Sequence, residues 1–379
     1  MIRRAHAAYY VRFAEDVGGG LRGPHERHWT SSIDAELDNL RTGHRWAVEQ
    51  QDADLALRLS AGLYHYALYQ FHDEVVTWGE TALTLPGADL HARYTAVCGA
   101  VGEGLTLRGE LRSALTLAER ALARIADPDD GQRIPLLKVM AVVALYEGRL
   151  DNCLDMATEQ LQLARAHDDA WYESQALILR GLALTYADDP EGGAVAADDS
   201  LRVSLATGNP SLTAWSLYTQ AESSSTRDPD QSRRHYEEAI ALAEFVNSTF
   251  TANIAQVGLA ALLMRTGEPM EALRAFRRSV TRWHQMQVWH HQWTTLRNLL
   301  QLFVNVGAYE EAATILGALR ATSAATFGSD ATDVVRAADL LANVLGARGF
   351  AAATHRGTAM SSDAVVAFAV ASIDAVLPS

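Results

Sequence analysis

From residue 109 to residue 307 apolar blocks alternate with short polar turns, and the turns are evenly spaced. They centre on Gly109, Gly148, Asp188, Arg227, Gly267 and Gly307, with separations of 39, 40, 39, 40 and 40 residues. A fixed period of this size marks a repeat array. A step of 39 residues back from Gly109 reaches Gln70, after which Trp78 to Leu83 mirrors Leu117 to Leu122, and a further step from Gly307 reaches Gly346. Positions six, nine and thirteen after a turn are apolar in most copies: Leu115, Ala118 and Leu122; Leu154, Ala157 and Leu161; Leu273, Phe276 and Val280. This 3-then-4 spacing sets them on one helix face.

Seven residues before the turn stand small side chains, Gly102, Ala141, Gly181 and Ala260, which let that helix approach its partner closely; Gln220 and Leu300 break the rule. Asp189-Pro190 and Asp228-Pro229 each place a capping side chain before a proline at the first helical position. The pattern therefore predicts helix–turn–helix units. One such pair cannot bury its apolar stripe alone, so units must stack. The expected fold is all-α, a TPR-like right-handed α-solenoid whose repeat is longer than the roughly 34 residues of a standard TPR. Residues 1–88 are expected to form an N-terminal helical cap with the first hairpins, 89–357 the repeat array, and 358–379 a C-terminal capping helix. In the first part, Ile33, Leu37, Leu40 and Ala47 mark an amphipathic helix with Ser31 and Asp34 as its capping pair. Gly18 to Pro24 reads as a loop, because clustered Gly and Pro disfavour a helix interior.

Composition narrows the function. The 379 residues are 49% apolar, a globular share, and carry a net charge of -14 that repels a phosphate backbone. No apolar run is long enough to span a bilayer, and His6 and Arg12 interrupt any signal core, so a soluble cytoplasmic protein without membrane or direct nucleic-acid contact is expected. Cys98 and Cys153 form no CxxC pair and read as core thiols in a reducing compartment. Lys138 is the one lysine. It sits in a helical apolar run rather than a Gly-rich phosphate loop, and is expected to snorkel to water.

Candidate chemistry is sparse. His284, His290 and His291 stand among Trp283, Trp289 and Trp293, but no HExxH pair, cysteine or carboxylate set completes a coordination sphere. No metal or cofactor is expected. Acidic residues such as Asp127, Asp168, Asp169, Asp188 and Asp189 fall at helix ends, where caps and solvated turns belong. No nucleophile elbow or Ser-Lys motif occurs, so no enzyme is expected. First helices of stacked pairs line the inner wall of a TPR superhelix, and Trp171, Tyr172, Trp215, Tyr218, Trp289 and Trp293 all fall on first helices; they are the candidate ligand or partner contacts.

Arg4 to Tyr10, Leu21-Arg22-Gly23-Pro24, Trp29, Glu36 to Arg41 and Arg45-Trp46-Ala47 carry a resemblance, as do Trp78 with Glu80 to Leu83, and Leu345 to Ala352 with Arg356-Gly357 and Ser361 to Ala369. The chain resembles the C-terminal helical region of actinobacterial STAND-type regulators, in which an ATPase module precedes TPR-like repeats and a LuxR-type DNA-binding or nucleotidyl cyclase domain is often attached. Neither the ATPase nor the DNA-binding part lies within these residues, so the chain is expected to be either a free-standing remnant or a split product of such a regulator. The resemblance implies a sensor arm that binds a small-molecule inducer or a protein partner and so biases an ATPase switch. A stand-alone TPR scaffold joining proteins is the alternative.

Overall fold

The computed structural model describes residues 2–70, 72–322 and 329–378, and every regular element among them is a helix. In order they are α1 (Ile2–Gly20), α2 (Glu26–Glu49), α3 (Ala53–Gly62), α4 (Tyr64–Tyr69), α5 (Asp73–Leu83), α6 (Tyr94–Arg108), α7 (Leu111–Leu122), α8 (Ile134–Tyr146), α9 (Leu150–Ala166), α10 (Ala170–Tyr186), α11 (Pro190–Thr207), α12 (Pro210–Ser224), α13 (Pro229–Phe245), α14 (Thr249–Arg265), α15 (Pro269–Met286), α16 (Trp289–Asn305), α17 (Tyr309–Arg320), α18 (Ser329–Thr358) and α19 (Ser362–Val376). Gly346, at φ 67° and ψ 163°, breaks α18 in two.

The evenly spaced turns join first helices to second helices: α6 to α7, α8 to α9, α10 to α11, α12 to α13, α14 to α15 and α16 to α17. Gly109, Gly148, Gly267 and Gly307 take the left-handed conformation, with φ from 71° to 88°, and Asp188 takes it at φ 62°. A second series times the connections between hairpins. Asp168, Gly208, Asn247 and Gln287 have φ of 54°, 69°, 59° and 57° and stand 40, 39 and 40 residues apart. The proline caps form as expected: Asp189 accepts from the Gly192 amide at 2.9 Å and Asp228 from the Gln231 amide at 3.0 Å. The small positions permit close packing between successive hairpins, since a Cβ at Gly102 would lie 2.9 Å from the Val139 side chain and one at Gly181 2.7 Å from that of Thr219.

The chain forms two compact units, residues 1–145, 149–223 and 238–252 in one, and 146–148, 224–237 and 253–379 in the other. The first unit is organised by α1, whose Ala7, Val11, Ala14 and Val17 meet Ile33 and Leu40 of α2 and Leu57 and Leu59 of α3 in one apolar cluster. Here two expectations fail. Gly18, Gly19 and Gly20 are the last turn of α1 rather than loop, because α1 crosses α3 so closely that a Cβ at Gly18 would stand 2.5 Å from the Gly62 carbonyl oxygen. Ser31 and Asp34 cap nothing: they lie inside α2, where Ser31 bonds back to the Arg27 carbonyl and Asp34 accepts the Tyr66 hydroxyl at 2.6 Å. Cys98 and Cys153 are buried free thiols, pushed up by burial to about 11 and about 12 respectively.

In the second unit Leu273, Phe276, Val280 and Trp283 make one buried face of α15, as the 3-then-4 spacing requires. The Trp283 indole N–H donates to Thr295 of α16 at 3.0 Å. Capped by Ser361, α19 buries Val365, Val366, Ala369 and Ile373. Among the described residues no helix is long and apolar enough to cross a membrane.

Candidate functional site

A helix begins with backbone N–H groups that have no partner inside the helix, and a polar residue just before it commonly satisfies one. Asp169 does so for α10, accepting from the Tyr172 amide at 3.1 Å, and Asn209 does so for α12, accepting from the Leu212 amide at 2.8 Å. Ser248 holds the equivalent place before α14. The three stand 40 and 39 residues apart. They are one recurrent position of the repeat, all within the first unit.

Each of the three also grips the N-terminal part of the chain. Arg22, in the turn between α1 and α2, donates through Nη1 to Asp169 at 3.0 Å. The Asn209 side-chain amide donates to the carbonyls of Leu21 and Gly23 at 2.8 and 3.3 Å. Ser248 donates to the Tyr69 carbonyl at 2.8 Å, while Gln70 reaches the Val246 carbonyl at 2.9 Å. Glu26 completes the contact at the first turn of α12, accepting from the Ser211 amide at 3.0 Å and the Ser211 hydroxyl at 2.5 Å. A carboxylate against a helix N-terminus is electrostatically favoured. The turn Leu21–Glu26 is therefore held at its guanidinium, its main-chain carbonyls and its carboxylate.

Aromatic side chains wall the guanidinium. Its carbon lies 5.0 Å from the Tyr172 ring centre and 5.8 Å from that of Trp171, within cation–π reach, and Nε donates to His65 Nε2 at 2.7 Å. Burial, with Arg22 and Lys138 nearby, keeps His65 neutral by lowering its pKa well below the ordinary value. Its proton then sits on Nδ1. That atom, the Trp171 indole nitrogen and the Gln175 amide oxygen are buried without a hydrogen-bond partner, which is costly.

Behind this wall lies the ion pair that sequence reading missed. Lys138 does not snorkel: its ammonium is buried 2.5 Å from the Glu103 carboxylate, which also accepts the Tyr64 hydroxyl. The partner sits on α6, one repeat earlier, so a lysine in an apolar run meets a counter-charge instead of water. Burial raises Glu103 above the ordinary carboxylate value, with Lys138 opposing. Burial alone would depress the lysine, and Glu103, Tyr69 and Tyr172 reverse this, keeping it charged.

Of the aromatic candidates, Trp171 and Tyr172 are thus buried at the docked turn. Trp215 and Tyr218 pair edge to face on α12 at 5.6 Å, with Trp215 half-buried and 6.4 Å from the Phe250 ring. Trp289 and Trp293 belong to the second unit, half-buried with ring centres 6.5 Å apart. In that unit His291 stacks on Trp283 at 5.1 Å and burial lowers His290 to about 4. Among the described residues no group of three or more His, Cys, Asp or Glu is placed to hold a metal ion. The docking residues themselves were absent from the sequence-level candidates. Their signal is the polar residue recurring at 39 to 40 residues just before α10, α12 and α14, following Asp168, Gly208 and Asn247.

No family model matches the chain. Proteins named as HTH-type transcriptional regulators of Mycobacterium bovis and Mycobacterium tuberculosis are 24% identical to it over 208 residues, which is 52% of this chain and 23% of theirs. The chain thus spans about a quarter of the length of these curated relatives. Among solved structures, a Rap protein complexed with Competence and Sporulation Factor superposes with a TM-score of 0.56 at 14% identity, covering 96% of this chain and 97% of that one. A STAND protein with a tetratricopeptide repeat sensor from Pyrococcus horikoshii gives 0.50 at 12% identity, over 89% of this chain and 55% of that one. The fold is that of the TPR-like helical repeat proteins.

Glu26 makes the docked turn sensitive to pH. Burial pushes its pKa up to about 7, against the pull of Ser211 and Asn209, so the docked state favours the protonated acid. In the window from the ordinary carboxylate value to about 7 the undocked chain has released a proton that the docked chain retains, and docking weakens as pH rises; above about 7 the dependence ends. Amide exchange of Leu21 to Gly23 followed from pH 5 to 8 is expected to quicken beyond its intrinsic increase in the native chain and not in Glu26→Gln. Equal pH profiles would place Glu26 outside this linkage.

Proposed function

We propose that the chain is a regulatory sensor and interaction module of a transcriptional regulator, without chemistry of its own, that takes a protein segment or small inducer at the N-terminal ends of its first helices. The observation that carries this reading is the Asp169, Asn209 and Ser248 series. Three repeats present the same polar position, and all three hold chain from outside the helix they precede. Stacked repeats present extended binding surfaces, and here Asp169 takes a guanidinium while Asn209 and Ser248 take main-chain carbonyls. Weak sequence similarity to HTH-type regulators and fold similarity to a Rap protein and a STAND sensor support a regulatory setting. The finer reading, an arm of an actinobacterial STAND ATPase linked to a LuxR-type output, rests on the resemblance carried by the residues quoted at both ends of the chain.

The test is reconstitution. The purified chain is added to the STAND-type ATPase of its host genome that lies nearest its own reading frame, and ATP turnover and DNA binding are measured. A saturable change of about five-fold or more is expected, the size of a typical coupling between sites. No change in either readout, with no association by native mass spectrometry, would overturn the proposal. A complex that forms while both activities stay constant would leave a scaffold in its place.

A further inference from the structure

The turn Leu21–Glu26 occupies its seat the way a ligand occupies a site. Arg22 fits a place with an acid, Asp169, an accepting imidazole, His65, and two ring faces. Asn209 reads two carbonyls of the turn, a contact indifferent to side chains. Glu26 takes the Ser211 amide and hydroxyl at the start of α12. Pro24 packs on Gly208, where a Cβ would stand 3.1 Å from the proline ring. The occupant nevertheless leaves Trp171 Nε1, His65 Nδ1 and Gln175 Oε1 buried and unpartnered, atoms that a chain with more polar groups could satisfy.

We propose that the N-terminal ends of α10 and α12 form a receptor site for a peptide turn bearing a guanidinium and, four residues later, a carboxyl group, and that Leu21–Glu26 is its resident occupant. This deepens the interaction-module reading and rests on it. Asp169 and the Trp171–Tyr172 pair select the guanidinium, Ser211 the carboxyl group, and Asn209 fixes the backbone between them. The resident is tethered, so its effective concentration is on the order of millimolar and an incoming peptide must bind tightly or meet a weakened resident. Displacement would free the turn between α1 and α2 from α10 and α12, giving binding at this site a structural consequence.

The experiment uses the full chain and a fluorescent peptide with the sequence of residues 19–28. The variant Arg22→Ala/Glu26→Ala, whose resident turn has lost both ends, is expected to bind this peptide about ten-fold or more tighter than the native chain does. Adding Asn209→Ala should abolish the gain, and so should replacing the arginine and glutamate of the peptide by alanine. Binding that is equal in the native, doubly and triply substituted chains would overturn the proposal, as would no binding by a double variant with native helicity and melting. If the double variant does not fold, amide exchange of the native chain in excess peptide decides: Leu21 to Gly23 should lose protection, and unchanged protection refutes the site. A chain that fails here but still alters ATP turnover of the regulator keeps the module reading and loses this site. A chain that binds the peptide but leaves the regulator unaffected does the reverse.

Discussion

Lys138→Met is expected to lower the unfolding free energy by about 3 kcal/mol or more, with most of the loss recovered in Glu103→Leu/Lys138→Met. The single change keeps side-chain length and apolar packing but strands a buried carboxylate whose other contact is the Tyr64 hydroxyl. That carboxylate is already raised by burial, and without the lysine it rises further, so it takes up a proton more readily in the folded than in the unfolded chain. A raised acid costs stability above its unfolded pKa and not below it. The deficit of Lys138→Met should therefore be largest near neutral pH and shrink toward pH 4, whereas the double variant, with no charge at the site, should show no such slope. Denaturant unfolding at pH 4.5 and 7.5 checks both. A single variant as stable as the native chain at pH 7.5 would mean that water reaches Glu103.

The pair also shows where sequence reading stops. The helical repeat was legible because it is written locally: turn residues at a fixed interval, apolar residues on one face, and aspartate before proline at two helix starts. Even there only one of the two turn series stood out, since the connections between hairpins use Asp168, Gly208, Asn247 and Gln287, four positions with four different residue types. What failed depends on partners distant along the chain. Lys138 looked solvent-seeking until α6 supplied Glu103, and Gly18 to Gly20 looked like loop until α3 supplied the close crossing at Gly62. The pairings that make the candidate site lie on that side of the divide. Asp169 and Asp189 were legible as helix-end residues, but nothing near Asp169 announces Arg22, which is 147 residues earlier, or near Asn209 announces Leu21, 188 residues earlier. Trp171 and Tyr172, expected as contacts from their place on a first helix, are buried with their rings beside the Arg22 guanidinium.

In the second unit the largest effect is expected from a single methyl group. Gly357 and Gly317 face each other where the last part of α18 crosses α17: a Cβ at Gly357 would lie 1.8 Å from the Thr314 carbonyl oxygen, and one at Gly317 2.0 Å from that of Thr354. Backbone cannot yield as a flexible side chain can, so either alanine must push the helices apart along the whole crossing. Separation would also break the Thr358 hydroxyl bond to the Gly317 carbonyl, 3.2 Å, and the Arg356 bond to Thr314, 3.1 Å. Gly357→Ala should cost about 3 kcal/mol or more, although alanine is the better helix former by about 1 kcal/mol. Because Gly317→Ala damages the same crossing, the two losses should not add: once one methyl group has parted the helices, the second finds the space open. Gly349→Ala supplies the control within α18. Its nearest neighbour would be the Leu345 Cβ at 3.4 Å, an ordinary contact at an exposed position, so helix propensity decides and the variant should be neutral or slightly more stable. Thermal unfolding of the four variants separates the effects: a Gly357→Ala chain that melts with Gly349→Ala, or a double variant that loses the full sum, would rule out a backbone crossing at Gly317 and Gly357.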